Sequence, residues 1–136
     1  MRQLVHTHTL TLEQFALSPN LSAFNNLEAH RRLLGLPSRR ISHQLLAMTQ
    51  LAHTGKQKVS HFSPFMKLRL ALALALMGEP ERLVMNQPGP ELTATEQQEL
   101  LTFLHELTLT HGITLVVKDA PSPASLPTFT PEVMYA

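Results

Sequence analysis

The stretch from Ser63 to Met77 constrains the fold most, because it must be hidden on most of its sides. From Leu68 to Leu76 a leucine falls at every second position, and alanine fills the gaps from Ala71 onward. Alternation alone suggests a strand. Leucine and alanine are strong helix formers, however, and the segment contains no β-branched residue. Ser63 suits an N-cap, Pro64 the first helical position and Gly78 the end, so the segment is predicted as a helix buried on most sides. Its longest apolar run, Leu70 to Met77, is far shorter than the roughly 20 residues that span a bilayer. Such a helix needs partners, and 136 residues with 43% apolar content can supply one domain with a modest core.

The partners read as an α/β arrangement. Leu4–Leu12 (LVHTHTLTL) alternates apolar with polar residues and predicts a strand. Ser22 opens a helical segment through Leu34, stopped by Gly35 with Pro37 behind it. A second helix is predicted from Ser38 to about Leu51, with Ile41, Leu45 and Met48 on one face. Leu83-Val84-Met85 predicts a short buried strand before Pro88, Gly89 and Pro90. Thr93 and Glu96 form a capping-box pattern that opens a helix to about Thr110. Gly112 ends that helix, and Ile113–Val117 (ITLVV) is the clearest strand. Beyond Ala120, four prolines without periodicity predict an extended or disordered tail. The closing strand–helix–strand order fits a parallel unit.

Composition narrows the chemistry. Without cysteine there are no disulfides, thiolate metal sites or cysteine nucleophiles. A formal charge of +1 gives no strong overall field for nucleic acid. The N-terminus lacks an apolar signal region, so a soluble, cytoplasmic chain is predicted. His6 and His8 share one face of the first strand, but no third ligand stands at metal spacing. Arg31-Arg32 and Arg39-Arg40 flank the turn between two helices, a weak hint of a DNA reader.

Four stretches together resemble one family. Leu17–Leu27 (LSPNLSAFNNL), Phe62–Leu70 (FSPFMKLRL), Pro80–Ala94 (PERLVMNQPGPELTA) and Gly112–Ala120 (GITLVVKDA) are similar to segments of ABC transporter ATP-binding subunits. The likeness is to the bacitracin-resistance and lantibiotic-immunity exporters. In that family these segments follow the Q-loop, carry the signature motif, cover Walker B and the D-loop, and lead to the switch histidine.

The resemblance implies an α/β fold: a partial P-loop NTPase (ABC ATPase-like) core with few parallel strands and a helical subdomain. Residues 1–120 would form the ABC ATPase-like domain, with 21–61 as the helical subdomain and 62–120 as the signature and Walker B half. Residues 121–136 would be the tail. A core cut down in this way predicts exposed apolar surface and strand edges, hence dimerisation, partner binding or poor stability.

The departures from the family are chemical. No GxxxxGK[ST] phosphate loop occurs in the sequence. The position of the magnesium-holding carboxylate is Asn86, and that of the carboxylate polarising the attacking water is Gln87. The D-loop aspartate is replaced by Thr93 and the switch histidine by Ala120. No catalytic residue is therefore expected. Vestigial nucleotide contact falls on Glu13 or Gln14 at the Q-loop, and on Ser63 and Met66 in the signature. There Phe65 replaces a glycine, and Pro64 removes an N–H.

These substitutions predict a non-hydrolysing companion that docks on an ABC exporter's membrane subunit or on an intact ATPase subunit, or else a decayed remnant. A homodimer is a further candidate assembly. No nucleic acid, metal, membrane insertion or cofactor is expected, and the chain would reach the inner face of the membrane only through a transporter subunit. The alternative is half of a split ATPase, binding ATP and magnesium only with a partner that carries Walker A.

Overall fold

The computed structural model describes residues 9–11, 15–79, 82–86, 92–112, 114–118 and 133–135. The chain divides into two compact units, residues 15–79 and residues 1–14 with 80–136.

The first unit is helical. Helix α1 (Ala23–Leu34) starts at Ser22, whose hydroxyl accepts from the Asn25 N–H at 3.1 Å. It ends at Gly35 in the left-handed region at φ 72°. The Gly35 N–H donates to the Arg32 carbonyl and the Leu36 N–H to the Arg31 carbonyl, both at 3.1 Å. This pair of bonds satisfies the last carbonyls and reverses the chain. Helix α2 (Arg40–Met48) follows, then single 3-10 turns at Ala52–Thr54 and Val59–His61. The lead-in to α1 is tied down by buried Asn26. Its side chain bonds the Ser18 N–H, the Ser18 carbonyl and the Ser22 carbonyl at 2.8, 3.2 and 2.9 Å. The returning chain closes on the same place: Val59 N–H donates to the Leu21 carbonyl, and Ser60 N–H to the Pro19 carbonyl.

Helix α3 (Pro64–Met77) is capped by Ser63, with proline in its first turn. Every residue from Leu70 to Met77 is buried, whichever side of the helix it occupies. That is the burial expected of a helix apolar all round. The helix packs on both α1 and α2. This packing draws α3 into the helical unit, whereas the resemblance divides the chain at residue 62.

The second unit is a four-stranded sheet in the order β1-β2-β3-β4, parallel throughout. Strand β1 is Thr9–Thr11, β2 is Arg82–Asn86, β3 is Thr114–Lys118 and β4 is Val133–Tyr135. Parallel neighbours require a crossover, which α4 (Ala94–His111) provides between β2 and β3. Along β2, Leu83 and Met85 are buried while Arg82 is exposed. Along α4, Leu100, Leu101, Leu104 and Leu107 make the buried stripe at helical spacing, and α4 packs on β3.

The α4 N-terminus is a reciprocal capping box. Thr93 N–H donates to Glu96 Oε1 and Glu96 N–H to Thr93 Oγ1, both at 3.1 Å. Strand β4 was not legible in the proline-rich tail. Three of the tail's residues pair with β3 and widen the sheet beyond the three strands expected from the sequence.

Candidate functional site

In open parallel sheets, ligands bind beyond the carboxyl ends of the strands. Here those ends are β2 at Asn86 and β3 at Lys118, and the register sets these two residues side by side. The Walker B-like and switch-like positions therefore stem from neighbouring strand ends. Asn86 closes β2, while Gln87, Ala120, Glu13 and Gln14 lie outside the described residues. Thr93, at the D-loop aspartate position, is exposed and held in the capping box with Glu96. By residue type, a neutral amide at 86 holds no formal charge for a divalent ion, and a neutral amide at 87 has no basic oxygen to take a proton from water.

The signature-like turn lies at the start of α3. The Ser63 hydroxyl accepts from the Met66 N–H at 3.2 Å, and the Ser63 carbonyl from the Lys67 N–H at 3.0 Å. Pro64 has no N–H. Of the first-turn donors this leaves at most that of Phe65, so the α3 N-terminus lacks the row of free N–H groups with which helices hold phosphate. Phe65 itself is only 6% exposed. A phenylalanine here, where the resemblance has a glycine, would be expected to block close backbone approach. Its ring is instead taken into the interior, with the Arg69 guanidinium 4.1 Å from the ring centroid. The obstacle at this turn comes from Pro64 and from the occupied Ser63 hydroxyl. Met66 is half-buried and Lys67 exposed.

The strongest electrostatic feature of the helical unit escaped the sequence reading. Glu28 on α1 is 2% exposed. Arg31 donates to both its oxygens, from Nε to Oε2 at 3.0 Å and from Nη2 to Oε1 at 2.9 Å. Ser42 on α2 donates to Oε2 at 2.7 Å, and Arg39 Nε lies 3.2 Å from Oε1. The Arg31 hydrogen bonds, aided by Ser42 and the two guanidinium charges, outweigh burial and hold the Glu28 carboxyl at about 2, down from 4.5. Arg31 also donates from Nη1 to the Leu36 carbonyl at 2.6 Å, bracing the turn after α1. Two of the four arginines behind the DNA-reader hint are thus bound to one carboxylate. The sequence signal was the i, i+3 spacing of Glu28 and Arg31.

Two histidines of this unit pack against aromatic rings. His43 stacks on Phe24 at 4.7 Å between centroids, and half-buried His30 meets Phe15 edge-on at 5.6 Å. Burial lowers the His30 pKa. Among the described residues no group of three or more His, Asp or Glu side chains could hold a metal ion. His6 and His8 lie outside them.

No family model matches the sequence. Individual relatives do. The chain is 31% identical over 100 residues to the bacitracin transport ATP-binding protein BcrA of Bacillus licheniformis, which covers 74% of this chain and 33% of that protein. It is 30% identical over 108 residues to the lantibiotic transport ATP-binding protein SrtF of Streptococcus pyogenes, covering 79% and 46%. It therefore spans less than half the length of these relatives.

Among solved structures, cbiO1 from Clostridium perfringens, part of the ABC transporter complex cbiONQ, superposes with a TM-score of 0.72. The identity is 17%, over 96% of this chain and 57% of that one. The ADP conformation of MJ1267, an ATP-binding cassette of an ABC transporter, superposes with a TM-score of 0.67. There the identity is 15%, over 85% and 52%. These likenesses establish the fold. The chain is thus similar in sequence to ABC transporter ATP-binding proteins, and its fold is that of a partial, ABC ATPase-like P-loop NTPase core with a helical subdomain.

Proposed function

We propose that the chain is a non-hydrolysing companion in an ABC transporter, docking through its helical unit on a membrane subunit or on an intact ATPase subunit. The observation that carries this reading is a contrast between two parts of one chain. The helical unit keeps its caps, its buried Asn26 and its Glu28 cluster. The positions aligned with nucleotide chemistry hold Asn86, Gln87, Thr93, Ala120 and Pro64. A separate phosphate-binding segment, such as the split-ATPase alternative requires, would leave those five unchanged.

The relatives are transport ATP-binding proteins, which supports a transporter subunit as the kind of partner. Among the described residues no helix is long and apolar enough to cross a membrane. Neither ATP nor magnesium is needed for the docking itself.

Co-expression with the membrane subunit and the ATPase subunit of its own operon tests the reading. The tagged chain is expected to retain one of them through purification without adding to phosphate release. Retention of neither, or turnover that depends on this chain, overturns it.

A further inference from the structure

The formal charge of +1 conceals a division between the two units. Residues 15–79 carry eight lysines and arginines against Glu28 and Glu79, a formal charge of +6. The other unit carries three cations against eight carboxylates, or −5. From Ala29 to Gly78 the sequence has no acidic residue at all. The one carboxylate of the α1–α2 hairpin, Glu28, is buried and paired.

Apolar exposure coincides with part of this charge. At the hairpin tip Leu33 is 82% exposed and Leu34 44% exposed. Arg32, Pro37 and Arg40 are exposed in the same turn, whereas Arg39 reaches back to Glu28 and lies over the Phe24 ring, 5.5 Å from its centroid. The tip has a defined shape. Gly35 turns the chain in the left-handed region, and Arg31 fastens the Leu36 carbonyl from inside. The leucines therefore project from a braced corner that also carries exposed Arg32 and Arg40.

We infer that the α1–α2 tip contacts an anionic lipid surface, with Leu33 and Leu34 at the headgroup–acyl boundary and Arg32 and Arg40 among the headgroups. Exposed leucines beside basic residues are the chemistry of interfacial anchoring, and basic residues near an anionic leaflet each add affinity. A stable protein interface needs roughly 800 Å² on each side around desolvated anchors, which a two-leucine corner does not supply. A nucleic acid would use the arginines but has no use for the leucines. The inference is independent of the docking reading above.

The test is co-sedimentation of the full chain with vesicles of phosphatidylcholine alone and with phosphatidylglycerol added. Binding is expected only to the anionic vesicles and is expected to weaken with salt. Replacing Arg32 and Arg40 together by serine should weaken it by about 25-fold, roughly fivefold per charge, and Leu33→Ser should weaken it at least about fivefold. Lys56 and Lys58 sit at the opposite end of the hairpin, where Lys58 pairs with Ser22 at the start of α1. Replacing those two by serine should change affinity less than replacing the arginines. All five side chains are exposed, so the variants should keep the parent's thermal melt, which is checked alongside.

The inference is overturned if the chain ignores anionic vesicles, or binds neutral ones equally. It is equally overturned if the lysine pair matters as much as the arginine pair, or if Leu33→Ser leaves affinity unchanged. The last two results would mean diffuse attraction of the whole cationic unit.

Discussion

Replacing Glu28 by glutamine keeps the side chain's size and removes its charge. Arg31, with a side chain 11% exposed, then faces a neutral amide, and Ser42 loses a charged acceptor. Breaking a buried ion pair from one side costs about 3–5 kcal/mol. Arg39 lowers that figure, because its side chain is 65% exposed and recovers water when released. The expected loss is about 2–4 kcal/mol, a large share of the roughly 5–15 kcal/mol that holds a domain together.

In a chain of this length that corresponds to a melting temperature lower by about 10 °C. Arg39→Gln, which removes only the exposed partner, should cost under about 1 kcal/mol. Thermal melts of the two variants and the parent at neutral pH read the difference. Equal effects, or a Glu28→Gln shift of no more than about 2 °C, would refute the picture of one buried carboxylate organising the hairpin.

The same cluster sets a pH dependence. The folded-state pKa of Glu28 is about 2 and its ordinary value 4.5, so the unfolded chain binds the proton more readily. Its stabilisation is therefore complete above pH 4.5 and lost as pH falls from there toward 2. Glu28→Gln should flatten the parent's melting curve in that window, and an unchanged slope would contradict the assignment. Gln50 holds a left-handed backbone at φ 60° just after α2. Gln50→Gly should therefore raise stability by up to about 1 kcal/mol, readable in urea midpoints, and a loss would mean the side chain has a role of its own. Thr93→Ala removes one arm of the capping box and should cost about 1 kcal/mol. A larger loss would point to a contact of Thr93 beyond Glu96.

What the sequence made legible was mostly local. The Ser63-Pro64 start of α3, the Gly35 stop of α1 and the Thr93–Glu96 box all act within four residues, and the chain signals them directly. The leucine-alanine run was resolved by residue type, because the absence of β-branching outweighed its alternation. Features that depend on distant partners were not legible. Strand β4 exists through β3, and its three residues carry no periodicity of their own.

The Glu28 cluster joins residues 11 and 14 positions apart only because Gly35 folds α2 back onto α1. The charge division vanished in the total, since the sheet unit is assembled from both ends of the chain. At the candidate site, residue types at 86, 87 and 120 could be read in line with the family. The burial of Phe65 could not be, because it depends on how the first turn of α3 is oriented.

The central claim is that this chain supplies a docking surface without nucleotide chemistry. A thermal melt of the purified chain with and without millimolar Mg-ATP tests it most directly. A ligand present at 100 times its dissociation constant stabilises by about 2.7 kcal/mol, a shift of several degrees. The account predicts superimposable melts. A clear rise with Mg-ATP would contradict it and make the chain a nucleotide-binding partner in its own right.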